Sequence, residues 1–372
     1  MSQINTNAIL DASGGTTATV NGFTPTVSNM AGRNRIINGD MRIDQRNAGA
    51  AVTPTTSSTY TVDRWCSILN VASKFSVQRS SVAPEGFTNS TVITSLSSYS
   101  AASGDYFGFS HRFEGFNTAD FGWGLASAKT VTLSFWVRSS LTGTFGGSFR
   151  NGNSNRSYVF TFPVNSANTW EYKTITISGD TSGTWNTANT QSIDLTFDLG
   201  SGANFSGASG AWSGSNLLTA TGATSVVGTS GATFYITGVQ LEEGSVATPF
   251  EHRQYGQELA LCQRYTQVLK YQGYETLIGV GMCLTAARIL TDVPLKAQMR
   301  AQPSCSVVGS VSSIQNIMAG VGAWYASSGV SFTPNTDVIR LDISYPSGYF
   351  ANGYAAETRI ESGASIVIAA EL

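Results

Sequence analysis

Apolar and polar residues alternate with a period of two over many short stretches of the first two thirds of the chain. In Thr130–Arg138, the side chains of Val131, Leu133, Phe135 and Val137 point to one side, with mostly polar residues between them. This alternation predicts a strand with one buried face. Further short strands are predicted at Tyr60–Trp65, Phe75–Arg79, Val92–Ser95, Tyr106–Phe113, Lys173–Ser178, Ser192–Leu199 and Phe234–Leu241.

The predicted strands also assign side chains to their outer faces. Arg112 is predicted to point away from the buried phenylalanines of its strand, and Asp194 and Asp198 are predicted to point outward from theirs. The stretches Leu141–Arg156 and Gly200–Gly231 are rich in Gly, Ser and Asn and are predicted to be long loops, which are often functional. Many short strands separated by turns predict an all-β, jelly-roll-like sandwich.

A helix pattern and a second β-rich block follow this sandwich. In Gly256–Lys270 the apolar residues recur every three or four positions, which predicts a helix that connects two domains. The last hundred residues again favour strands, with clear alternation over Asp337–Tyr345, and predict a second small β-sandwich. The predicted organisation is an N-terminal arm (1–33), a jelly-roll-like sandwich (34–253), a connector helix (254–270) and a C-terminal β-sandwich domain (271–372).

Composition narrows the classes of function. Charged residues make up 12% of the chain and the net charge is −2, so no electrostatic feature favours nucleic acid. Four arginines in Arg33–Asn47 are offset by Asp40 and Asp44, so we expect them to pair with carboxylates or carbonyls in an opening strand. No apolar run is long enough for membrane insertion, and no secretory signal is visible. The four cysteines are expected to be free thiols.

Aromatic residues on Gly-rich segments are the candidate ligand-binding residues. Trp212, in the second long loop, is expected either to stack on a sugar ring or to fold back and pin the loop; its size favours the second. In the C-terminal block, Trp324 and the turn-rich run Pro346–Tyr354 offer aromatic side chains. The predicted ligand-binding residues are Trp212, Trp324, Tyr349, Phe350 and Tyr354.

Catalytic motifs are absent from the sequence. It contains neither a GxSxG elbow nor a phosphate-binding GxxxxGK[ST] loop. His111 and His252, the two histidines, are expected to make structural hydrogen bonds. No cysteine–histidine spacing favours a metal site, and we predict no cofactor and no enzymatic activity. A glycoside hydrolase needs two carboxylates in one groove. Glu114, Asp120, Asp194 and Asp198 are candidates that sequence alone does not pair.

Three separated runs resemble a module of bacteriophage tail fibres and related virion proteins. They are NRIINGDMRIDQRNAG (Asn34–Gly49), FNTADFGWG followed by KTVTLSFWVRSSLTGTFGGS (Phe116–Ser148), and FYITGVQLEEGSVATPFEHR with ELALCQRY (Phe234–Tyr265). The runs occur in the expected order and cover roughly residues 30 to 265. The C-terminal IVIAAEL, with a preceding MRAQP, looks like the C-terminal domains of similar fibre proteins.

This resemblance implies a virion protein with a jelly-roll-like domain similar to a carbohydrate-binding module. It implies attachment to other tail or capsid proteins through the N-terminal arm, a homotrimer, and binding to host surface polysaccharide, with synthesis in the host cytoplasm. Two alternatives remain open: a structural capsid-vertex fibre or adaptor without ligand binding, and a polysaccharide-degrading tailspike.

Overall fold

The computed structural model describes residues 32–273, 276–318, 323–346 and 348–372. The described chain divides into two compact units: the residues up to Arg253 together with Leu372, and Gln254–Glu371. Most of the predicted attachment arm, residues 1–31, lies outside the described residues. Its last two residues belong to the first unit, because Gly32 N donates to Glu251 Oε1 at 2.8 Å and Arg33 Nη2 to the Pro249 carbonyl at 3.1 Å.

The first unit is a sandwich of two large antiparallel sheets. A seven-stranded sheet has the order β1-β2-β5-β10-β7-β8-β12, a five-stranded sheet has the order β3-β4-β14-β6-β9, and β11 and β13 form a small parallel pair. Short 3-10 helices span Gly115–Asn117, Ala119–Phe121 and Ala203–Phe205. The strands are β1 Thr59–Tyr60, β2 Trp65–Leu69, β3 Phe75–Ser80, β4 Ser90–Ser95, β5 Phe107–Glu114, β6 Val131–Ser139, β7 Gly143–Asn151, β8 Ser157–Val164, β9 Glu171–Ile177, β10 Gln191–Asp198, β11 Ser206–Gly207, β12 Trp212–Ser213, β13 Thr219–Ala220 and β14 Thr233–Glu243.

The alternating apolar residues of both sheets face each other and form one core. Phe135 of the five-stranded sheet contacts Phe162 and Phe197 of the seven-stranded sheet, with both pairs of ring centroids 5.0 Å apart. The jelly-roll-like β-sandwich predicted from the alternation is therefore the observed fold class.

The stretch Leu141–Arg156 was predicted to be a loop, and this prediction was wrong. It contains β7, which pairs with both β10 and β8. Gly146 and Gly147 hide the apolar alternation of this strand, although Phe145 and Phe149 both point into the core. A glycine is needed at position 147 because a Cβ there would lie 2.5 Å from the ring of Phe160.

Two segments near the start of the first unit also differ from their predictions. The predicted strand Tyr60–Trp65 is interrupted by a turn between β1 and β2, in which Trp65 N donates to the Val62 carbonyl. The predicted opening strand Arg33–Asn47 is irregular, because its backbone groups form hydrogen bonds mainly with side chains and with the backbone of β14. Its arginines do find oxygen partners as expected; Arg35 Nη2 lies 2.6 Å from Asp120 Oδ2.

Strand β14 contains a bulge with a close approach at Gly238. The register of β14 against β6 shifts between Thr237 and Gln240, and Gly238 has a positive φ of 61°. A Cβ at this glycine would lie 2.7 Å from the ring of Phe87. The bulge therefore requires glycine on both conformational and steric grounds.

The second unit is also a β-sandwich, and its helix is shorter than predicted. Helix α1 (Tyr255–Gln263) ends before the predicted bound. The last five residues of the predicted connector form strand β15 (Thr266–Lys270), which pairs with strand β24 (Ala364–Ala369). Thr266 and Val268 are β-prone residues, and pairing with the last strand of the unit places them in a strand rather than a helix. The elements are α1 Tyr255–Gln263, β15 Thr266–Lys270, β16 Thr276–Thr285, β17 Arg288–Pro294, β18 Ser304–Gly309, a 3-10 turn Val311–Ser313, β19 Ile314–Met318, β20 Tyr325–Ala326, β21 Gly329–Pro334, β22 Val338–Ser344, β23 Ala355–Ile360 and β24 Ala364–Ala369.

Two sheets enclose the core of this unit, in the orders β15-β24-β18 and β20-β19-β23-β16-β17-β22-β21. Ile339, Leu341 and Ile343 of β22 point into that core, as the alternation predicted. No helix in the described part of either unit is long and apolar enough to cross a membrane.

Candidate functional site

The long loop Gly200–Gly231 lies against the outer face of the seven-stranded sheet, and its short strand β12 extends the edge of that sheet. Asp198, at the end of β10, accepts hydrogen bonds from the backbone N–H groups of Gly200 and Ser201 at 3.1 and 2.9 Å and so fixes the start of the loop. The loop buries Asp198, which sequence alternation placed on an outward face. Burial raises the pKa of the Asp198 carboxyl to about 6, against the hydrogen bonds that favour its charged form.

The loop leaves one end of this sheet face open as a groove of about 290 Å³. We call it the polar groove. Strands β5, β7 and β10 form its floor, and the loop and the β7–β8 turn form its walls. Its lining residues are Ser57, Ile68, Tyr106, Arg112, Arg150, Gly152, Ser154, Gln191, Asp194, Phe205, Asn216 and Leu218.

Two aromatic rings form one wall of the polar groove. Tyr106 and Phe205 pack edge to face with their centroids 5.3 Å apart, and both are half-buried. Behind them Cys66, Ile68 and Leu218 form a small buried cluster that supports the rings. The groove therefore has a rigid, partly exposed aromatic wall.

The polar floor is organised around Asp194. Arg150 Nη2 donates to Asp194 Oδ2 at 2.8 Å, and Arg150 Nη1 donates to Asn216 Oδ1 at 3.0 Å. Arg112 Nε lies 3.9 Å from the same carboxylate oxygen. These contacts hold the side chains of the floor in fixed positions.

Two hydrogen bonds from the guanidinium fix the Arg112 side chain on the floor of the groove. Its Nη2 donates to Ser58 Oγ at 2.8 Å, and its Nη1 donates to the Leu372 oxygen at 2.5 Å. Burial opposes its charge, but the acidic side chains of Cys66 and Asp194 raise the pKa of Arg112 overall, so the guanidinium stays charged.

A second recess, of about 270 Å³, lies at the end of the sandwich next to the polar groove. We call it the tryptophan cleft. Trp123 and Trp185 meet edge to face at 4.8 Å and are only 6% and 8% exposed, so little of either ring is open to the cleft. The lining residues are Thr118, Ala119, Gly122, Trp123, Gly124, Leu125, Gly183, Thr184, Trp185, Asn186, Thr187, Ser192 and Ile193.

Trp212 folds back onto the sandwich, as the size of its ring favoured. Its Nε1 donates to the Ser178 carbonyl at 2.7 Å, and its ring packs on Trp123, Trp185 and Tyr158 at 5.2–5.4 Å. It is half-buried and lines neither recess. The structure therefore gives Trp212 the role of pinning the loop.

The four C-terminal candidates differ in exposure. Phe350 is 5% exposed and packs on Tyr345 in the core, so it offers little surface to a ligand. Trp324 is half-buried, with the Arg359 guanidinium 4.0 Å from its ring centroid. Tyr349 stacks on Tyr325 at 4.3 Å, and Tyr354 is 54% exposed. Tyr349 and Tyr354 remain available to a ligand.

The candidate catalytic carboxylates do not line one recess. Asp194 lines the polar groove, Asp198 lies under the long loop, Glu114 is buried, and Asp120 pairs with Arg35. In the described part of the chain, no group of three or more His, Cys, Asp or Glu side chains is arranged to hold a metal ion.

His111 lies in the core between Trp65 and Phe113, and burial first and Arg64 second hold its pKa well below the usual value. Its Nε2 accepts the backbone N–H of Ile37 at 3.3 Å, a structural role of the kind predicted for it.

Sequence reasoning found part of the polar groove and missed the rest. It placed Arg112 and Asp194 on outer faces, but it did not bring them together with Phe205. Arg150 was hidden in the stretch predicted to be a loop, and nothing in the sequence marks Asn216.

No protein-family model and no curated protein matches the chain. Among solved structures it is similar to the enzymatically active domain of tailspike protein 4 of bacteriophage CBA120, at 11% identity and a TM-score of 0.31, over 56% of this chain and 21% of that one. It is also similar to the family 11 carbohydrate-binding module of cellulase Lic26A-Cel5E of Clostridium thermocellum, at 15% identity and a TM-score of 0.26, over 55% and 99%.

A third similar structure is the CBM22-1–GH10 part of xylanase 10B of Clostridium thermocellum, complexed with xylohexaose. The identity is 13% and the TM-score 0.27, over 55% of this chain and 30% of that one. The chain thus spans about a fifth of the length of the tailspike domain and a third of the xylanase part. At these TM-scores the likeness is too distant to assign a ligand, and the polar groove of this chain has to be judged on its own residues.

Proposed function

We propose that the first unit binds a glycan in the polar groove. The observation that carries this proposal is the meeting of Tyr106 and Phe205 with Arg150, Asp194 and Asn216 around one open recess. Sugar rings have apolar C–H faces and a rim of hydroxyls, so they match an aromatic wall beside fixed donors and acceptors. The contacts among Arg150, Asp194 and Asn216 supply that fixed geometry before any ligand arrives.

The lining of the groove favours binding over hydrolysis. Asp194 is the one carboxylate among the described residues that line it, and that carboxylate is paired with Arg150. Hydrolysis of a glycosidic bond uses a second carboxyl group as acid or base. We therefore propose a binding protein rather than an enzyme.

We further propose that the chain is a bacteriophage virion fibre protein, tail-associated, that attaches the particle to host surface polysaccharide. The three runs that resemble phage fibre proteins support this, and residues 1–33 are proposed as the virion-attachment arm. Gold-labelled antibody on purified particles tests the location. Label on the tail fibres is expected, whereas label at capsid vertices favours the structural alternative.

We also propose that copies of the chain associate, as a homotrimer by resemblance to phage fibres. An apolar stripe on the outer face of β16 supports association: Leu277, Val280 and Met282 are each about half exposed. Such a stripe is unusual on the solvent side of a sheet. On β17 and β22, the ion pairs Arg288–Asp342 and Arg340–Asp292 neutralise the charges of these four side chains.

Light scattering on wild type and on the double variant Leu277→Ser, Val280→Ser tests this association. Wild type is expected at three times the monomer mass and the double variant at a lower mass, with Val308→Ser on β18 as the exposed control. A stable wild-type monomer at micromolar concentration would contradict the proposal.

The glycan proposal is tested by probing an array of bacterial surface polysaccharides with the purified, labelled protein. Binding to a restricted set of polysaccharides, without release of reducing ends, is the expected result. Release of reducing ends would favour the tailspike alternative. Failure to bind any polysaccharide, while particles still adsorb through this protein, would overturn the proposal.

A further inference from the structure

The polar groove and the tryptophan cleft are separated by a wall only one residue thick. Gln191 lines the groove, and the next residue, Ser192, lines the cleft. The register of β10 against β5 shifts between Gln191 and Ile193, so a bulge lies at the wall. Bulges commonly occur where a strand redirects side chains at a binding site.

Hydrogen bonds tie the two recesses together. Asn186, from the cleft, donates through Nδ2 to the Gln191 carbonyl at 2.6 Å. Asn151, at the end of β7, donates through Nδ2 to the Thr184 carbonyl at 3.1 Å, which fixes the cleft loop to the strand that leads into the groove. A Cβ on Gly152, in the groove lining, would lie 3.1 Å from Asn186 Nδ2. The two recesses therefore form parts of one rigid surface.

The cleft has the chemistry of a recess for a partly apolar, hydroxylated ligand. Leu125 is 61% exposed and lines the cleft together with Trp123 and Trp185. Thr118 is a buried lining residue, and its Oγ1 has no hydrogen-bond partner among the described residues. A buried hydroxyl without a partner is costly, so this part of the lining favours a polar group beside it.

We infer that the tryptophan cleft is a second sugar subsite, so that the ligand is a polysaccharide chain that runs from the polar groove over Gln191 into the cleft. This inference rests on the proposed glycan binding in the groove and adds the class of glycan. A terminal monosaccharide or disaccharide fills the groove alone. A longer chain gains the cleft as well, and linked contacts raise the affinity without any change in the groove.

The test uses a size-fractionated ladder of oligosaccharides, from disaccharide to octasaccharide, prepared by partial hydrolysis of the polysaccharide that binds on the array. Calorimetry on wild type is expected to show affinity rising about tenfold once the oligosaccharide is long enough to reach the cleft. Leu125→Asp is expected to abolish this gain and to leave the affinity for the shortest oligosaccharides unchanged. Leu96→Asp, at another exposed leucine that lines neither recess, is the matched control.

A second readout places the ligand in the cleft directly. In protein labelled with 5-fluorotryptophan, long oligosaccharides are expected to shift the ¹⁹F resonances of Trp123 and Trp185, and short ones are not. If the groove variant Asn216→Ala loses binding while Leu125→Asp binds every length like wild type, the second subsite is wrong and the groove proposal stands. If no member of the ladder binds, both proposals are wrong.

Discussion

Single residues on the outer face of the seven-stranded sheet carry charges that the long loop buries. Arg150 and Asp194 pair at 2.8 Å with both side chains nearly inaccessible, and Asp198 lies under the loop with a raised pKa. Such groups stay buried only when partners satisfy them. The stability of this face therefore depends on individual ion pairs and hydrogen bonds.

Replacement of Arg150 is expected to destabilise the protein. Arg150→Ala leaves Asp194 buried without its closest cation and should lower the free energy of unfolding by about 3 kcal/mol. Arg288→Ala removes an arginine from an exposed pair with Asp342 and should cost less than about 1 kcal/mol. Urea denaturation of both variants measures the difference. Equal losses would mean that the pair in the groove is solvated in solution.

Asp198 is expected to make stability depend on pH. Its folded-state pKa of about 6 exceeds the ordinary value of 3.8, so the folded state binds more protons between these two values. The contribution of Asp198 to the free energy of unfolding is complete below 3.8 and is lost as the pH rises through about 6. The stability of wild type relative to Asp198→Asn should therefore fall over this interval and then stay constant.

Asp105 supplies a control of opposite sign. The hydroxyl of Tyr99 and the backbone N–H of Ala102 lower the pKa of the Asp105 carboxyl, so its contribution is present above the ordinary value and is lost in acid. The stability of wild type relative to Asp105→Asn should rise with pH. A stability difference for Asp198→Asn that rises in the same way would contradict the burial of Asp198.

Among the elements, the long loop Gly200–Gly231 shows best what sequence does and does not determine. Alternation correctly predicted which side chains of β5 and β10 leave the core, because that depends only on the two-residue period of a strand. It did not predict that the loop covers them, since Gly, Ser and Asn fit many paths equally well. It missed β7 because two glycines carry no apolar signal, and with β7 it missed Arg150.

The loop is expected to depend on Trp212 for its position. Trp212→Ala removes the packing on Trp123, Trp185 and Tyr158 and should lower stability by about 2 kcal/mol, less than for a fully buried tryptophan. Tyr354→Ala, at an exposed ring of the second unit, should change stability by less than about 0.5 kcal/mol. Thermal melts compare the two variants. An unchanged melting temperature for Trp212→Ala would return this side chain to the list of ligand-binding candidates.

At the scale of the whole molecule, two β-sandwich units divide the proposed tasks. The first unit holds both recesses, whereas the second carries the apolar stripe on β16 and the exposed Tyr349 and Tyr354. We expect replacement of both tyrosines by alanine to weaken host adsorption and to leave the melting temperature nearly unchanged. The exposure of the two rings is consistent with the second part of that expectation, and adsorption assays measure the first.

The central claim is that the polar groove binds a glycan, and calorimetric titration of Asn216→Ala with the polysaccharide identified on the array tests it most directly. Asn216 lies in the groove and contacts Arg150, whereas the exposed Asn335 of the second unit provides the control variant Asn335→Ala. We expect Asn216→Ala to weaken binding at least about tenfold, through loss of a polar contact and of the support for Arg150. The control should bind like wild type. Wild-type affinity in a folded Asn216→Ala protein would contradict the account.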